Sequence, residues 1–408
     1  MPDSYQYKVR DREGRLLQGS IEADNQTLVA NRLRQMGYVP ITIDRQGVAA
    51  ASLKKELKIP GLGAKVKMKD VSIFCRQFAT MINSGLSLIR SLHILAEQTD
   101  NKKLAEILIT VRLDVEKGSS LSQALSQHPK AFNRLFVAMV KAGETGGVLD
   151  EVLQKLATTI EKQVELKRKI KSAMTYPVAV LGLVLLIVTA MLVFVVPTFT
   201  TLYADLGGTL PLPTRMLIGV STVVKKFFIP IILLDIAAVF AFKKWLASDK
   251  GRAHWDALKL RIPVFGKLVH KTAITRFART LSVLLRSGVP ILESLEITSE
   301  TVNNSVVAKA VKETQAAVQQ GESIAAPLAA HKVFPPMVVQ MLAVGEETGA
   351  VDEMLDKVAD FYDQEIEAVV AAMTSLLEPL LIVVMGGAVG GMVVALYMPM
   401  FNIINLVE

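Results

Sequence analysis

The chain has 408 residues, 51% of them hydrophobic and 21% charged, with a mean hydropathy of +0.38. That is too apolar for an ordinary soluble chain and too charged for one wholly sunk in lipid, so bilayer-facing surface is expected beside water-facing domains. The net charge of +8 comes without a cysteine–histidine cluster, an aromatic-studded basic motif or a lysine-rich tail, so no nucleic-acid partner is expected.

Residues 1–45 read as a small α/β domain. Tyr5 to Arg10 alternates as a strand, Asp11 to Gly14 turns, and Leu16 to Ile21 continues as a second strand. Thr27 to Met36 reads as a helix stopped by Gly37, and Val39 to Ile43 as a third strand. The first ten residues are polar and lack the apolar core of a signal peptide, which puts the N-terminus on the cytoplasmic side. A linker is expected over 46–68, marked by Gly47, Pro60, Gly61, Gly63 and several lysines.

Over 69–176 the pattern turns helical. Val71, Phe74, Cys75, Phe78, Met81 and Ile82 share one face, Ser84-Gly85 stops that helix, and Leu86, Leu88, Ile89 and Leu92 begin the next. Cys75, the chain's one cysteine, is therefore a packing residue; it excludes an internal disulfide and a cysteine-based zinc site. Gly118 ends a third helix, Leu121 to Leu125 makes a short fourth, Leu135 to Lys141 a fifth, and a long sixth runs from Val148 through Lys169. Six helices form a bundle large enough to bury its own core.

Val178 to Val196 and Leu380 to Met398 carry no charge over 19 residues each. At the helical rise that is about 28 Å, the hydrocarbon thickness of a bilayer, so transmembrane helices are expected over 177–197 and 379–399. Phe227 to Phe242 is shorter and holds Asp235, but Lys225, Lys226, Lys243 and Lys244 at its ends can snorkel, and a further span is expected over 227–243. The rival is a two-span chain with residues 227–242 re-entrant or buried and the second large domain outside the cell. Lys162, Lys167, Arg168, Lys169 and Lys171 crowd the approach to the first span, and Lys243, Lys244, Lys250 and Arg252 follow the second, so these segments face the cytoplasm. Residues 198–226 are then an outer loop, 244–378 a second cytoplasmic bundle, and 400–408 a short outer tail.

The chain also repeats itself. Phe74-Cys75-Arg76, Ser84-Gly85 and Ser91-Leu92 return as Phe277-Ala278-Arg279, Ser287-Gly288 and Ser294-Leu295, an offset of 203. Gly143-Glu144-Thr145-Gly146 and Asp150-Glu151 return at an offset of 202 around Gly345-Glu346 and as Asp352-Glu353, and Pro177 and Pro197 return as Pro379 and Pro399. Each repeat thus ends in its own span.

No residue set points to chemistry. A phosphate loop is absent, since Gly266-Lys267 has Arg261 where the first glycine belongs, and His93, His128, His254, His270 and His331 form neither an HExxH motif nor a triad. Catalytic, cofactor-binding and metal-ligating residues are not expected. Glu144, Asp150, Glu346 and Asp352 flank glycine turns in both repeats and read either as partner-docking or as helix-capping carboxylates. Asp235 is an intramembrane acid, placed for helix packing or proton coupling. Gly386, Gly387, Gly390 and Gly391 give overlapping GxxxG patterns for close helix packing, within the chain or between copies.

Tyr7, Asp11, Gly14, Gly19 and Ala23, then Leu33, Arg34, Gly37 and Pro40, then Phe74-Cys75-Arg76-Gln77 with Ser84-Gly85 and Gly143-Glu144-Thr145-Gly146, resemble the GspF/PilC family of platform proteins of type II secretion systems and type IV pili. The resemblance covers essentially the whole chain, repeat and spans included. It implies a mainly α integral membrane protein with two homologous six-helix-bundle cytoplasmic domains, three transmembrane helices and a small N-terminal α/β domain. It also implies a non-enzymatic role in the inner membrane. The implied partners, besides the bilayer, are a hexameric assembly ATPase, a pilin or pseudopilin, other inner-membrane assembly proteins and further copies of the chain. A membrane transporter with repeated domains is the alternative, but it needs more spans and a midplane site built of broken helices.

Overall fold

The computed structural model describes residues 3–10, 16–23, 26–45, 65–205, 211–263 and 265–404. The chain divides into two units, Met1–Lys65 and Val66–Glu408.

In the first unit β1 (Asp3–Arg10), β2 (Leu16–Ala23) and β3 (Val39–Arg45) form an antiparallel sheet in the order β2-β1-β3. Val29 and Leu33, one turn apart on α1 (Gln26–Gln35), close a small core with Tyr5 and Val9 of β1. Gly19 faces Tyr7 across the ladder, and a methyl there would come within 2.6 Å of the tyrosine oxygen. The expected turn at 11–14 and most of the linker, 46–64, lie outside the described residues.

The second unit begins with α2 (Met68–Asn83), α3 (Leu88–Gln98), α4 (Lys102–Glu116), α5 (Leu121–Ser126), α6 (Arg134–Gly146) and the 42-residue α7 (Leu149–Ala190). The matched series is α12 (Phe265–Arg286), α13 (Ile291–Thr301), α14 (Ser305–Gln319), α15 (Ala325–Ala329), α16 (Pro336–Thr348) and the 54-residue α17 (Val351–Ile404). The helix ends match too. Asn101 and Asn304 cap α4 and α14 by accepting two backbone N–H groups each, and α6 and α16 stop at Gly147 and Gly349, both at φ 70°, which a side chain would resist.

The first core stacks Phe74, Phe78, Phe132 and Phe136, with neighbouring centroids 4.9–5.7 Å apart. The second keeps only the Phe277–Phe334 pair, at 4.9 Å, and has Leu281 and Val338 where the others would stand. Val283, Leu284, Val289 and Ile297 of the second repeat are buried in the first core, so the two bundles share apolar surface.

Two helices, Leu149–Thr200 and Val351–Pro399, are long and apolar enough to cross a membrane. The first continues beyond α7 through a π-helical turn, Met191–Val195, into α8 (Val196–Asp205). The stretch expected as an outer loop, 198–226, is instead largely helical where it is described: α8 fills its start, and α9 (Leu212–Lys226) packs against both long helices. Thr214 donates to the Ala395 carbonyl at 2.6 Å and Ser221 to that of Leu192. Leu217, Ile218 and Val224 of α9 face this contact, whereas Leu212, Met216, Val220 and Val223 are exposed; the loop reading overlooked this helical spacing.

The segment carrying Asp235 is α10 (Phe228–Leu246), and each of its residues whose burial is described, from Phe228 to Trp245, is exposed. A further helix, α11 (Asp249–Arg261), joins α10 to the second bundle. The last long helix runs to Ile404, past the expected end of its span at 399.

Candidate functional site at the seam between the repeats

Glu144 and Glu346 turn into their own bundles. Glu144, on α6, accepts the backbone N–H groups of Leu121 (2.5 Å) and Ser122 (3.0 Å), while the Ser120 hydroxyl accepts that of Gln123. Glu346 does the same for Ile324 and Ala325 (3.0 Å to the latter), and Ser323 for Ala326. A short helix exposes almost as many unpaired N–H groups as it has residues, and a carboxylate from the next helix satisfies two of them. Both glutamates thereby cap the short helix of their own bundle.

Asp150 and Asp352 stand in the first turns of α7 and α17, where a carboxylate favours the helix dipole. Asp352 also accepts from Arg286 Nε at 3.1 Å. Asp235 is exposed on α10 with no hydrogen-bond or ion-pair partner among the described residues, so it does not pack between helices of its own chain. Around Gly386, Gly387, Gly390 and Gly391 an added methyl meets nothing within 4 Å, so no helix among the described residues uses the close approach they permit. The Cys75 thiol lies within 3.9 Å of the Leu153 carbonyl, and burial pushes its pKa up to about 12, which leaves it unreactive.

Charged groups meet between α2 and α7 and where α7, α12 and α17 come together. In the first repeat Arg76 grips Glu161 through Nε (2.7 Å) and Nη2, and donates to Thr158. Hydrogen bonding from Arg76 holds the Glu161 pKa below the usual carboxylate range. At the matched place Arg279, 6% exposed, reaches Asp356 (2.8 Å), Asp360 (2.8 Å) and Asp363 (2.7 Å). Burial alone lowers the Arg279 pKa, but the three carboxylates more than offset it and the net shift is upward. Burial likewise pushes Asp363 up despite Arg279, while Asp360, facing both Lys162 and Arg279, is held down.

The same acids cross the seam. Lys162 pairs with Asp360 at 2.9 Å and Lys169 with Glu367 at 2.6 Å, tying α7 to α17 just before their apolar stretches. Arg134 of α6 meets Glu296 (3.2 Å) and Glu300 (2.5 Å) of α13. Elsewhere, Asp256 of α11 is buried, accepts the Ser305 N–H at 2.9 Å and pairs with Lys259 at 2.7 Å, fastening α11 to α14.

Sequence reasoning missed the Arg279 cluster, although its signal was present. Asp356, Asp360 and Asp363 recur at i, i+4 and i+7 on one helical face, and both arginines sit at the same place in the repeat.

The family model described as "Type II secretion system (T2SS), protein F" matches twice, over residues 74–197 and 277–399, and that of its N-terminal domain matches residues 1–44. The double match reproduces the internal repeat. The type IV pilus assembly protein PilC of Thermus thermophilus is 47% identical over 402 residues, 98% of each chain. PilC of Myxococcus xanthus is 40% identical over 98% of this chain and 95% of its own. The type II secretion system protein F of Pseudomonas aeruginosa is 34% identical over 99% of both.

Proposed function

Since the chain belongs to the type II secretion protein F and PilC family, a non-enzymatic family of pilus assembly and secretion, we propose that it is the inner-membrane platform on which a cytoplasmic ATPase drives pilin or pseudopilin into and out of the bilayer. In this reading α7 crosses outward, α10 returns and α17 crosses outward again, with both six-helix repeats in the cytoplasm.

One observation carries it. Lys162–Asp360 and Lys169–Glu367 join the two long helices side by side on the approach to their apolar stretches, which supports a reading with both repeats on one face of the bilayer. A chain that leaves through α7 must then come back before α12. The returning segment is α10, apolar apart from Asp235 and the terminal Lys243 and Lys244, with its described side chains from Phe228 to Trp245 exposed, a surface that suits lipid better than water. A two-span chain would put those ion-paired partners on opposite faces. The exposed Asp235 and the uncovered glycines of α17 are the natural contacts for a partner helix in the bilayer, from a pilin or from a second copy.

Reporter fusions test the arrangement. A phosphatase that is active only outside the cytoplasm is expected to be active when fused after Gly208 and silent after Gln320. Activity at Gln320 would remove the reading.

A further inference from the structure

A cavity of about 320 Å³ opens between α7 and α12, beside the Arg279 network. Five cations line it: Lys162, Lys167, Lys171, Arg276 and Arg279. Two are already answered, Lys162 by Asp360 and Arg279 by its three aspartates, including Asp363, the one carboxylate in the lining. The charged groups of Lys167, Lys171 and Arg276 have no partner among the described residues. Arg276 is half-buried, and burial lowers its pKa with no acid to offset the shift. A desolvated, unpaired guanidinium is costly, and the bundle does not require one: the matched residue of the first repeat is Ile73, which is exposed. An apolar wall, formed by Leu166, Ile170 and Met174, runs along α7 beside Lys167 and Lys171.

We propose that this cavity binds a phosphate-bearing ligand, its anion held by Lys167, Lys171 and Arg276 and its apolar part lying on Leu166, Ile170 and Met174. The volume is at the lower end of the ligand-pocket range and suits a headgroup rather than a macromolecule. Anionic phospholipids and soluble phosphates share the required chemistry. On α7, Lys171 is the last charge before Asp205, and Met174 lies between it and the apolar run, so a lipid from the inner leaflet meets the apolar wall and the cations together. The lipid source rests on α7 crossing the bilayer as proposed above; the phosphate site does not.

The test uses the full chain in neutral detergent, followed by native mass spectrometry with phosphatidylglycerol, phosphatidylcholine, glycerol 3-phosphate or a polyglutamate peptide. Phosphatidylglycerol is expected to bind in preference to phosphatidylcholine and to glycerol 3-phosphate. Arg276→Gln is expected to weaken it about fivefold, and Lys167→Gln with Lys171→Gln by about that factor per charge. Arg276→Lys restores most of the binding, and Arg90→Gln, at an exposed position of α3, leaves it unchanged. The lysine pair is exposed, so its variants report on binding even if Arg276→Gln unfolds. Glycerol 3-phosphate binding as tightly as the lipid, with the same Arg276 dependence, supports the site and assigns it to a soluble phosphate. Equal binding of the two lipids, phosphatidylglycerol affinity indifferent to all three cations, or Arg276-dependent capture of polyglutamate alone would overturn the proposal. A failed topology shows separately, in the reporter fusions.

Discussion

The first repeat gives Arg76 one acid, Glu161, whereas the second surrounds Arg279 with Asp356, Asp360 and Asp363. The matched positions on α7 are Gln154, Thr158 and Glu161, so the second repeat differs by two added carboxylates. One guanidinium cannot neutralise three acids, and the surplus reaches Lys162 of the other repeat. Across the whole seam the first repeat supplies cations, Arg134, Lys162 and Lys169, and the second supplies Glu296, Glu300, Asp360 and Glu367. The counterparts of those cations are Pro336, Gln364 and Ala371, so two copies of one repeat would not pair in this way. What the repeats share, the caps, glycine stops and Phe74–Phe132 or Phe277–Phe334 pair, builds each bundle; much of what joins the bundles comes from where they differ.

The largest test of that contrast is to remove each arginine. Arg279→Ala strands three carboxylates at a nearly buried place and is expected to cost about 3–5 kcal/mol. Arg76→Ala breaks a pair whose side chains are 39% and 40% exposed and is expected to cost less than about 1 kcal/mol. Thermal unfolding of the full-length variants in detergent reads the difference. Adding Asp360→Asn and Asp363→Asn to Arg279→Ala should recover part of the loss; equal costs for the two arginines would break the comparison.

Helix crossings come next. A methyl on Gly143 would lie 3.1 Å from Leu149 Cα, and one on Gly345 only 2.8 Å from Val351 Cα. Both alanine variants should destabilise, by about 1–3 kcal/mol, with Gly345→Ala the worse because its contact with backbone is the shorter. The capping glutamates should instead behave alike. Glu144→Ala and Glu346→Ala each free two N–H groups, at an expected cost of about 1 kcal/mol. Hydrogen exchange should speed up at Leu121 and Ser122 in one variant and at Ile324 and Ala325 in the other.

The sequence made the architecture legible wherever a pattern was local or repeated. Glycine stops and the 203- and 202-residue offsets marked twelve matched helices, and two uncharged runs marked the long apolar ones. The hairpin, helix and third strand near the N-terminus were read from alternation and Gly37. Less legible were groups meeting across long separations. Glu144 could be read as either docking or capping because the N–H groups it caps are more than 20 residues away, and α9 passed for a loop because its packing partners, Leu192 and Ala395, lie on other helices. The cavity around Arg276 was likewise invisible, since its cations come from two repeats.

The smallest expected effect is on pH dependence, and it separates the repeats by sign. Glu161 is held below its ordinary pKa by Arg76, so the stability it contributes is complete above the unfolded carboxylate pKa, about pH 4, and is lost as pH falls through the lower folded value. Asp360 behaves in the same way: burial pushes its pKa up, but Lys162 and Arg279 outweigh that. Asp363 runs the other way. Its pKa is raised, chiefly by burial, so its contribution is complete below the unfolded pKa and is lost as pH rises through the folded one. The two aspartates therefore oppose each other, whereas nothing in the first repeat's pair opposes Glu161. Melting temperatures taken from about pH 6 to about pH 3 should fall in the parent protein, and Arg76→Gln should flatten part of that fall. Asp363→Asn should steepen it, by removing a carboxylate that gains from acid. An Arg76→Gln profile parallel to the parent's would mean that Glu161 titrates as a free surface acid, and the claimed difference between the repeats would then rest on the second alone.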